Sequence, residues 1–379
     1  MKIHRLLLLL MLLTPGLALA QSGPLATPSE PFKLGTFRIA GVPKVGVVLR
    51  DQYIVDLEVA NRDLETNPVY PRVPMPDNML DLIGQYEYGL KYRLYELVTR
   101  LVDDELVAGG NQADYIYDRT EVHVMAPLQY PGKILNAAVN FYSHVNEGGN
   151  EEQRRESMRQ RQENRGVPYM FLKPTRGAVI GADDEIVIPY GRDRTDWEVE
   201  LGAVIGRPAK YVSALDAQDY IFGYTITMDI SDRGGRPPGG FGSGSDWFVG
   251  KGHDTFAPMG PWIVPKEFYG DPMENLRQTL SVNGEQIQDA QAGDMIHSLW
   301  ELIEYASSIS TLFPGDIINN GTSGGTMGVR AGGQSFLQDG EVVEAAIDGI
   351  GSMRIPVRVE TSRPEGTGAQ LTPVREYRR

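Results

Sequence analysis

Glu198 and Glu200 stand one residue apart in Trp197-Glu198-Val199-Glu200-Leu201-Gly202-Ala203-Val204, a run that is otherwise apolar. In a β-strand alternate side chains share a face, so the two carboxylates project together while Trp197, Val199 and Leu201 project the opposite way. Paired anions resist burial unless a cation or a shared proton compensates, and a hard divalent ion with oxygen ligands does so economically. An edge strand with its acidic face in water is the competing reading. Asp229 ends the β-branched and aromatic run from Tyr220 to Met228 and brings a third carboxylate to a strand end, with Asp232 three residues on. Three carboxylates suffice for a magnesium or manganese site with positions left for water and substrate. Taken alone, an aspartate there also serves as a turn former.

His144 and Glu147 follow Asn140-Phe141-Tyr142-Ser143. On a helical turn starting after Tyr142 they share one face, the spacing at which a carboxylate orients an imidazole that takes a proton from water. A surface contact is the plainer account of such a pair. Lys251, in Phe248-Val249-Gly250-Lys251-Gly252, could set its ammonium against a developing oxyanion, and the Gly-rich run from Asn320 to Gly328 could offer backbone N–H groups to a carboxylate. That run lacks the lysine of a phosphate-binding loop, which argues against a nucleotide. His123, His253 and His297 have no carboxylate at a comparable spacing and read as structural.

These groups need a β-rich scaffold to hold them. From residue 126 to 360, recurrent short apolar runs separated by Gly and Pro turns predict a rolled or barrel-like mixed sheet, giving an α+β, mostly β class. Residues 33–125 read as a small N-terminal α+β domain: a β-hairpin signature opens it, and apolar residues three and four apart over 78–107 predict a pair of amphipathic helices. Two more helices are expected. One is the charged run 151–166, and the segment 148–166 that contains it reads either as a lid over the site or as a solvated face; the other, over 295–310, aligns Ile296, Leu299, Trp300, Ile303 and Ala306. The aperiodic tail 361–379 is expected to fray or to pack on a neighbouring subunit.

Composition narrows the chemistry further. With 379 residues, 41% of them apolar, the chain can bury a full core. A net charge of −14 opposes nucleic acid and anionic membranes as partners. No cysteine is present, so thiolate nucleophiles, disulfides and zinc–thiolate sites are excluded. Lys2 and Arg5 precede a leucine-rich run that ends in Ala18-Leu19-Ala20, which reads as a secretory signal over 1–20 followed by a flexible leader over 21–32. An uncleaved anchor helix is the competing reading. The expectation is export, to the periplasm, with no membrane association after cleavage.

Taken in order, His144 with Glu147, Pro168-Tyr169-Met170-Phe171-Leu172-Lys173-Pro174, Glu198-x-Glu200, Asp229, Lys251, Pro258-Met259-Gly260-Pro261, Phe313-Pro314-Gly315-Asp316 and Gly321-Thr322 resemble the fumarylacetoacetate hydrolase family over roughly residues 33–360. The resemblance implies a β-roll catalytic core behind a small N-terminal domain, and a homodimer. It implies a divalent ion, commonly magnesium with manganese or calcium as alternatives, on Glu198, Glu200 and Asp229. It also implies a small anionic oxo acid as substrate, with His144, Glu147 and Lys251 catalytic and Tyr142, Arg233, Arg236 and Thr322 contacting the substrate. The leading expectation is hydrolysis of a carbon–carbon bond in a β-diketo acid of the acylpyruvate or diketo-deoxy sugar acid type. A decarboxylase, hydratase or tautomerase of the same family stays open, as does an oxo-acid binding protein without turnover. Three positions depart from the family pattern: Met228 replaces an Asn, Arg236 replaces a substrate-contacting Gln and implies a more anionic substrate, and Phe141-Tyr142 replaces the usual Asn-Tyr order.

Overall fold

A computed structural model describes residues 27–238, 246–330, 333–363 and 371–378. The expected signal at 1–20 and most of the leader lie outside these residues. Among the described residues no helix is long and apolar enough to cross a membrane.

The chain opens with a meander. Lys33–Ile39 and Val42–Leu49 pair from Lys33↔Val48 to Ile39↔Val42, joined by Ala40 and Gly41 at φ of 50° and 83°. Two left-handed residues match the twist of the flanking strands, the geometry a two-residue hairpin requires. Tyr53–Asp56 adds a third strand and Asp56 then caps the helix Leu57–Leu64, its carboxylate accepting from the Val59 N–H. The expected helix pair follows as Met79–Gln85 and Lys91–Asp103, joined by a widened turn at Tyr86–Leu90 where Gly89 sits at φ 121°. Leu82, Ile83, Leu94, Leu97, Val98 and Leu101 bury one face of this pair against Val47 and Val55. Phe32, expected within the flexible leader, is instead buried edge-on between Tyr95 and Phe268.

The meander does not stand apart from the rest. Leu34 pairs with Ile263, so a twelve-stranded sheet runs from the N-terminal strands through Lys33–Ile39, Ala257–Pro265, Ile221–Met228, Val199–Ile205, Ile317–Asn319 and Ile134–Ala137 to Met170–Lys173. A five-stranded sheet, including Arg277–Val282, Val342–Ile347 and Gly351–Val359, packs on it. Strand outweighs helix, as expected, but the rolled sheet does not close into a barrel: each end of its path is a strand with a single neighbour.

Val199–Ile205 and Ile221–Met228 are buried along their whole length, with apolar clusters on both faces. Leu201, Ala203 and Ile205 enter one cluster and Val204 the other. The helix Leu299–Ile309 buries Leu299, Leu302, Ile303 and Ala306, its N-terminus closed by a capping box between Ser298 and Glu301. Glu151–Glu163 has no buried residue and is a solvated helix, tethered by Asn146 to Ser157 and by Arg165 to Glu301. The tail departs from expectation. Residues 371–378 dock on their own chain, with Val374 fully buried and its N–H donating to the Gly191 carbonyl at 2.9 Å.

Candidate active site

Glu198 and Glu200 enter the core because their strand is central, flanked by Ile221–Met228 and Ile317–Asn319. The edge-strand alternative fails: the residues are 4% and 1% exposed. The Asp229 N–H donates to the Glu198 carbonyl at 2.9 Å, which sets Asp229 opposite Glu198. Carboxylate oxygens of Glu198, Glu200 and Asp229 all lie within 4.8 Å of one another. At Val199 the neighbouring strand falls short, and side chains replace it: Gln288 accepts from the Val199 N–H, while Gln278 and Thr322 donate to its carbonyl. This satisfies backbone groups that water cannot reach.

Two buried lysines face the acids. Lys251, at the end of a short helix capped by Asp246, donates to Asp229 at 2.5 Å and to Glu198 at 2.9 Å. Lys173 donates to Asp229 and to the Ile230 carbonyl. Arg233 bridges Asp196 and Glu198. Burial works against ionised Glu198, yet Lys251 and Arg233 hold its carboxyl well below the usual carboxylate range. Burial pushes the Lys173 ammonium down, with Asp229 opposing, and pushes Asp196 up to about 6 against the pull of Arg233.

Glu200 is treated differently. Its partner is the Asn136 amide at 2.9 Å, with no cation in ion-pair range among the described residues. Burial, then the charges of Asp229 and Glu198, push its carboxyl well above normal. A divalent cation fits this set: it would supply the positive charge that Glu200 lacks, to hard oxygen donors already gathered.

Beside the acids lies the pair expected from sequence. Tyr142–His144 forms a single helical turn, and His144 Nδ1 meets Glu147 Oε2 at 2.7 Å. Glu147 also accepts from the Gly325 and Thr326 N–H groups at 2.6 and 2.9 Å and from the Thr326 hydroxyl at 2.8 Å. These bonds draw its carboxyl below normal despite burial, and they leave Nε2 as the imidazole nitrogen open to the cavity. The Gly-rich loop therefore spends these two N–H groups on Glu147.

A cavity of about 310 Å³ joins these parts, lined by His144, Glu147, Glu198, Arg233, Lys251 and Thr322 with Phe171 and Trp247 as an apolar wall. A neighbouring pocket of about 370 Å³ shares Arg233, Trp247, Lys251 and Met327 with it and adds Arg236. Tyr142 opens the helical turn but does not line either space. Lys173, Asn136 and Thr326 were not singled out from sequence. Lys173 lies inside the Pro168–Pro174 motif, but its contact with Asp229 spans 56 residues and has no local signal. His253 and His123, read as lacking carboxylates, meet Asp232 at 3.3 Å and Asp184 at 3.1 Å, contacts that span 21 and 61 residues.

A buried oxygen triad beside a carboxylate-held imidazole, at one cavity of a mixed sheet, defines an enzyme of the divalent-metal class. The chain belongs to the fumarylacetoacetate hydrolase family: the family description "Fumarylacetoacetate (FAA) hydrolase C-terminal" matches residues 133–358. It is 32% identical over 282 residues to a mitochondrial oxaloacetate tautomerase of Bos taurus, covering 73% of this chain and 78% of that one. It is 34% identical over 263 residues to 2,4-didehydro-3-deoxy-L-rhamnonate hydrolase of a Sphingomonas species, covering 68% and 85%. Among solved structures, maleylpyruvate hydrolase from a Sphingobium species, in complex with manganese(II) and pyruvate, superposes with a TM-score of 0.62 at 26% identity, covering 87% of this chain and 100% of that one.

Proposed function

We propose that this protein is an exported, metal-dependent hydrolase that cleaves a carbon–carbon bond in a small β-diketo acid of the acylpyruvate or diketo-deoxy sugar acid type. The observation that carries the reading is the His144–Glu147 pair, held by Thr326 and lining the same cavity as Glu198 of the acidic triad. Glu198, Glu200 and Asp229 would hold the ion, magnesium in the first instance, with manganese or calcium as alternatives; when bound it polarises adjacent oxygens of an oxo acid. Glu147 fixes the imidazole tautomer, and His144 Nε2 takes a proton from water as that water attacks the carbonyl. Lys251 and Arg233 add positive charge beside the leaving carbanion, which takes up the proton that His144 removed from water as the carbon–carbon bond breaks, and Phe171 and Trp247 exclude bulk water. Thr322, which lines this cavity, would contact the substrate carboxylate. The homodimer and the periplasmic location belong to this proposal.

A tautomerase or decarboxylase is the second reading, favoured by the likeness to an oxaloacetate tautomerase over 73% of the chain. There His144 would move a proton between carbon and oxygen without activating water. Turnover of acetylpyruvate, oxaloacetate and a diketo-deoxy sugar acid, with magnesium, with EDTA and as His144→Ala, separates the readings. EDTA-sensitive cleavage that the substitution abolishes supports hydrolysis. Metal-dependent tautomerisation or decarboxylation of oxaloacetate, with no cleavage of acetylpyruvate or of the sugar acid, transfers the assignment to the second reading. Binding without any turnover leaves an oxo-acid binding protein.

A further inference from the structure

The pocket next to the catalytic cavity has a wall that comes from the far end of the chain. Residues 371–378 lie over a floor of three glycines. At Gly191 a Cβ would meet Pro373 at 2.9 Å, at Gly234 it would meet Val374 Cγ2 at 2.3 Å, and at Gly235 it would meet an Arg378 guanidinium nitrogen at 3.0 Å. No φ in the left-handed region accounts for Gly234, so there glycine answers to space, taken first by Val374 of the tail and then by Asp232 Oδ1 at 2.8 Å and an Arg192 guanidinium nitrogen at 2.9 Å. The tail is also bonded down. Arg192, itself 1% exposed, holds Asp232 with one face of its guanidinium and donates to the Tyr377 hydroxyl at 2.8 Å with the other; that hydroxyl donates to the Gly235 carbonyl at 2.9 Å. Val374 fills the gap beneath, fully buried.

This docking delivers Arg378 to the pocket that shares Arg233 and Lys251 with the catalytic cavity. The charges there are not equivalent. Lys251 and Arg233 are committed to buried carboxylates, Asp232 is committed to Arg192, and the Asp246 carboxylate accepts two backbone N–H groups. Arg378 forms no ion pair among the described residues and is exposed to the pocket. A guanidinium in that position is suited to a carboxylate through paired N–H donors.

We infer that the docked tail is a specificity element: Arg378 binds a second carboxylate, at the end of an oxo acid remote from the reacting carbonyl, so that dianionic substrates are preferred over monoanionic ones. The inference rests on the oxo-acid reading of the cavity. Its test is calorimetric binding of two ligands with the same 2-oxo acid head, 2-oxobutyrate with one carboxylate and 2-oxoglutarate with two, to the magnesium-loaded full chain. The wild type should bind 2-oxoglutarate more tightly. Arg378→Ala should weaken 2-oxoglutarate by about tenfold and leave 2-oxobutyrate unchanged, in line with loss of one charge-assisted contact, and Arg378→Lys should restore part of the difference. Val374→Asp, which expels the tail, should reproduce Arg378→Ala. An unchanged preference, or equal loss for both ligands, overturns the tail's role while leaving the oxo-acid reading intact. Failure of the wild type to bind either ligand overturns both.

Discussion

At the scale of single residues, the site is an exercise in placing charge where water is absent. Asp229 takes hydrogen bonds from both Lys173 and Lys251, each buried. Asp229→Ala therefore leaves two ammonium groups with much of their compensation gone, and it should cost about 3–5 kcal/mol of stability in a denaturant titration, as breaking buried ion pairs does. It should also abolish divalent-ion binding; full retention of binding in both Asp229→Ala and Glu198→Ala would refute the assigned ligands. Glu147 gives a pH signature. Its folded carboxyl lies below the ordinary 4.5, so its contribution to stability is complete above that value and disappears as pH falls through the folded one. Wild type should lose denaturant resistance on acidification through that interval more steeply than Glu147→Gln. A parallel pH dependence of the two proteins would show that Glu147 does not carry the effect. Glu198 with Glu200 and His144 with Glu147 were legible in sequence because each is a local pattern: i, i+2 on a strand and i, i+3 on a turn. Their partners were not. Lys173 and Thr326 reach the site across 56 and 179 residues, and nothing in a linear spacing encodes such a meeting.

At the scale of elements, the site depends on how closely the central strands approach. Gly202 lies between Glu200 and Val204 on the acidic face, and a Cβ there would meet Thr227 Cγ2 at 2.7 Å and Asn319 Oδ1 at 3.1 Å. Gly202→Ala should cost about 1–3 kcal/mol through overpacking and should weaken the metal site by displacing its strand; equal stability and affinity to wild type would show that the neighbours yield freely. The helix over Glu151–Glu163 behaves oppositely, with no buried side chain to lose. The helix pair over 78–107, Leu299–Ile309 and the hairpin are legible because their apolar patterns are strong, whereas Leu57–Leu64, only eight residues long, is not: two turns give too little period to register. The open sheet was also beyond reach, because strand number and turn spacing do not say whether the first and last strands meet.

At the scale of the whole molecule, the N-terminal segment and the catalytic core share one sheet and two apolar clusters. Removing residues 27–125 would strip the neighbour from Leu34's partner strand Ala257–Pro265 and uncover Ile263, Met259 and Phe222. The remaining chain is expected to aggregate, because an exposed apolar edge is a template for pairing; a soluble, monodisperse fragment with native metal affinity would contradict that. The family resemblance was legible at this scale because its motifs keep their order along most of the chain, while the docking of residues 371–378 was not, since Pro373-Val374-Arg375-Glu376-Tyr377 has no period to follow.

The pairing of Leu34 with Ile263 also sets a timetable for folding. A strand near the start of the chain finds its partner only after most of the chain has been made, and the loop that grips Glu147 lies 179 residues beyond it. Contacts of such long range slow folding and leave early edges unpaired in the meantime. During refolding from denaturant the local helices, Lys91–Asp103 and Leu299–Ile309, should therefore regain their signal well before any cation can be captured, and the interval between the two is the period in which this protein is most in need of a chaperone.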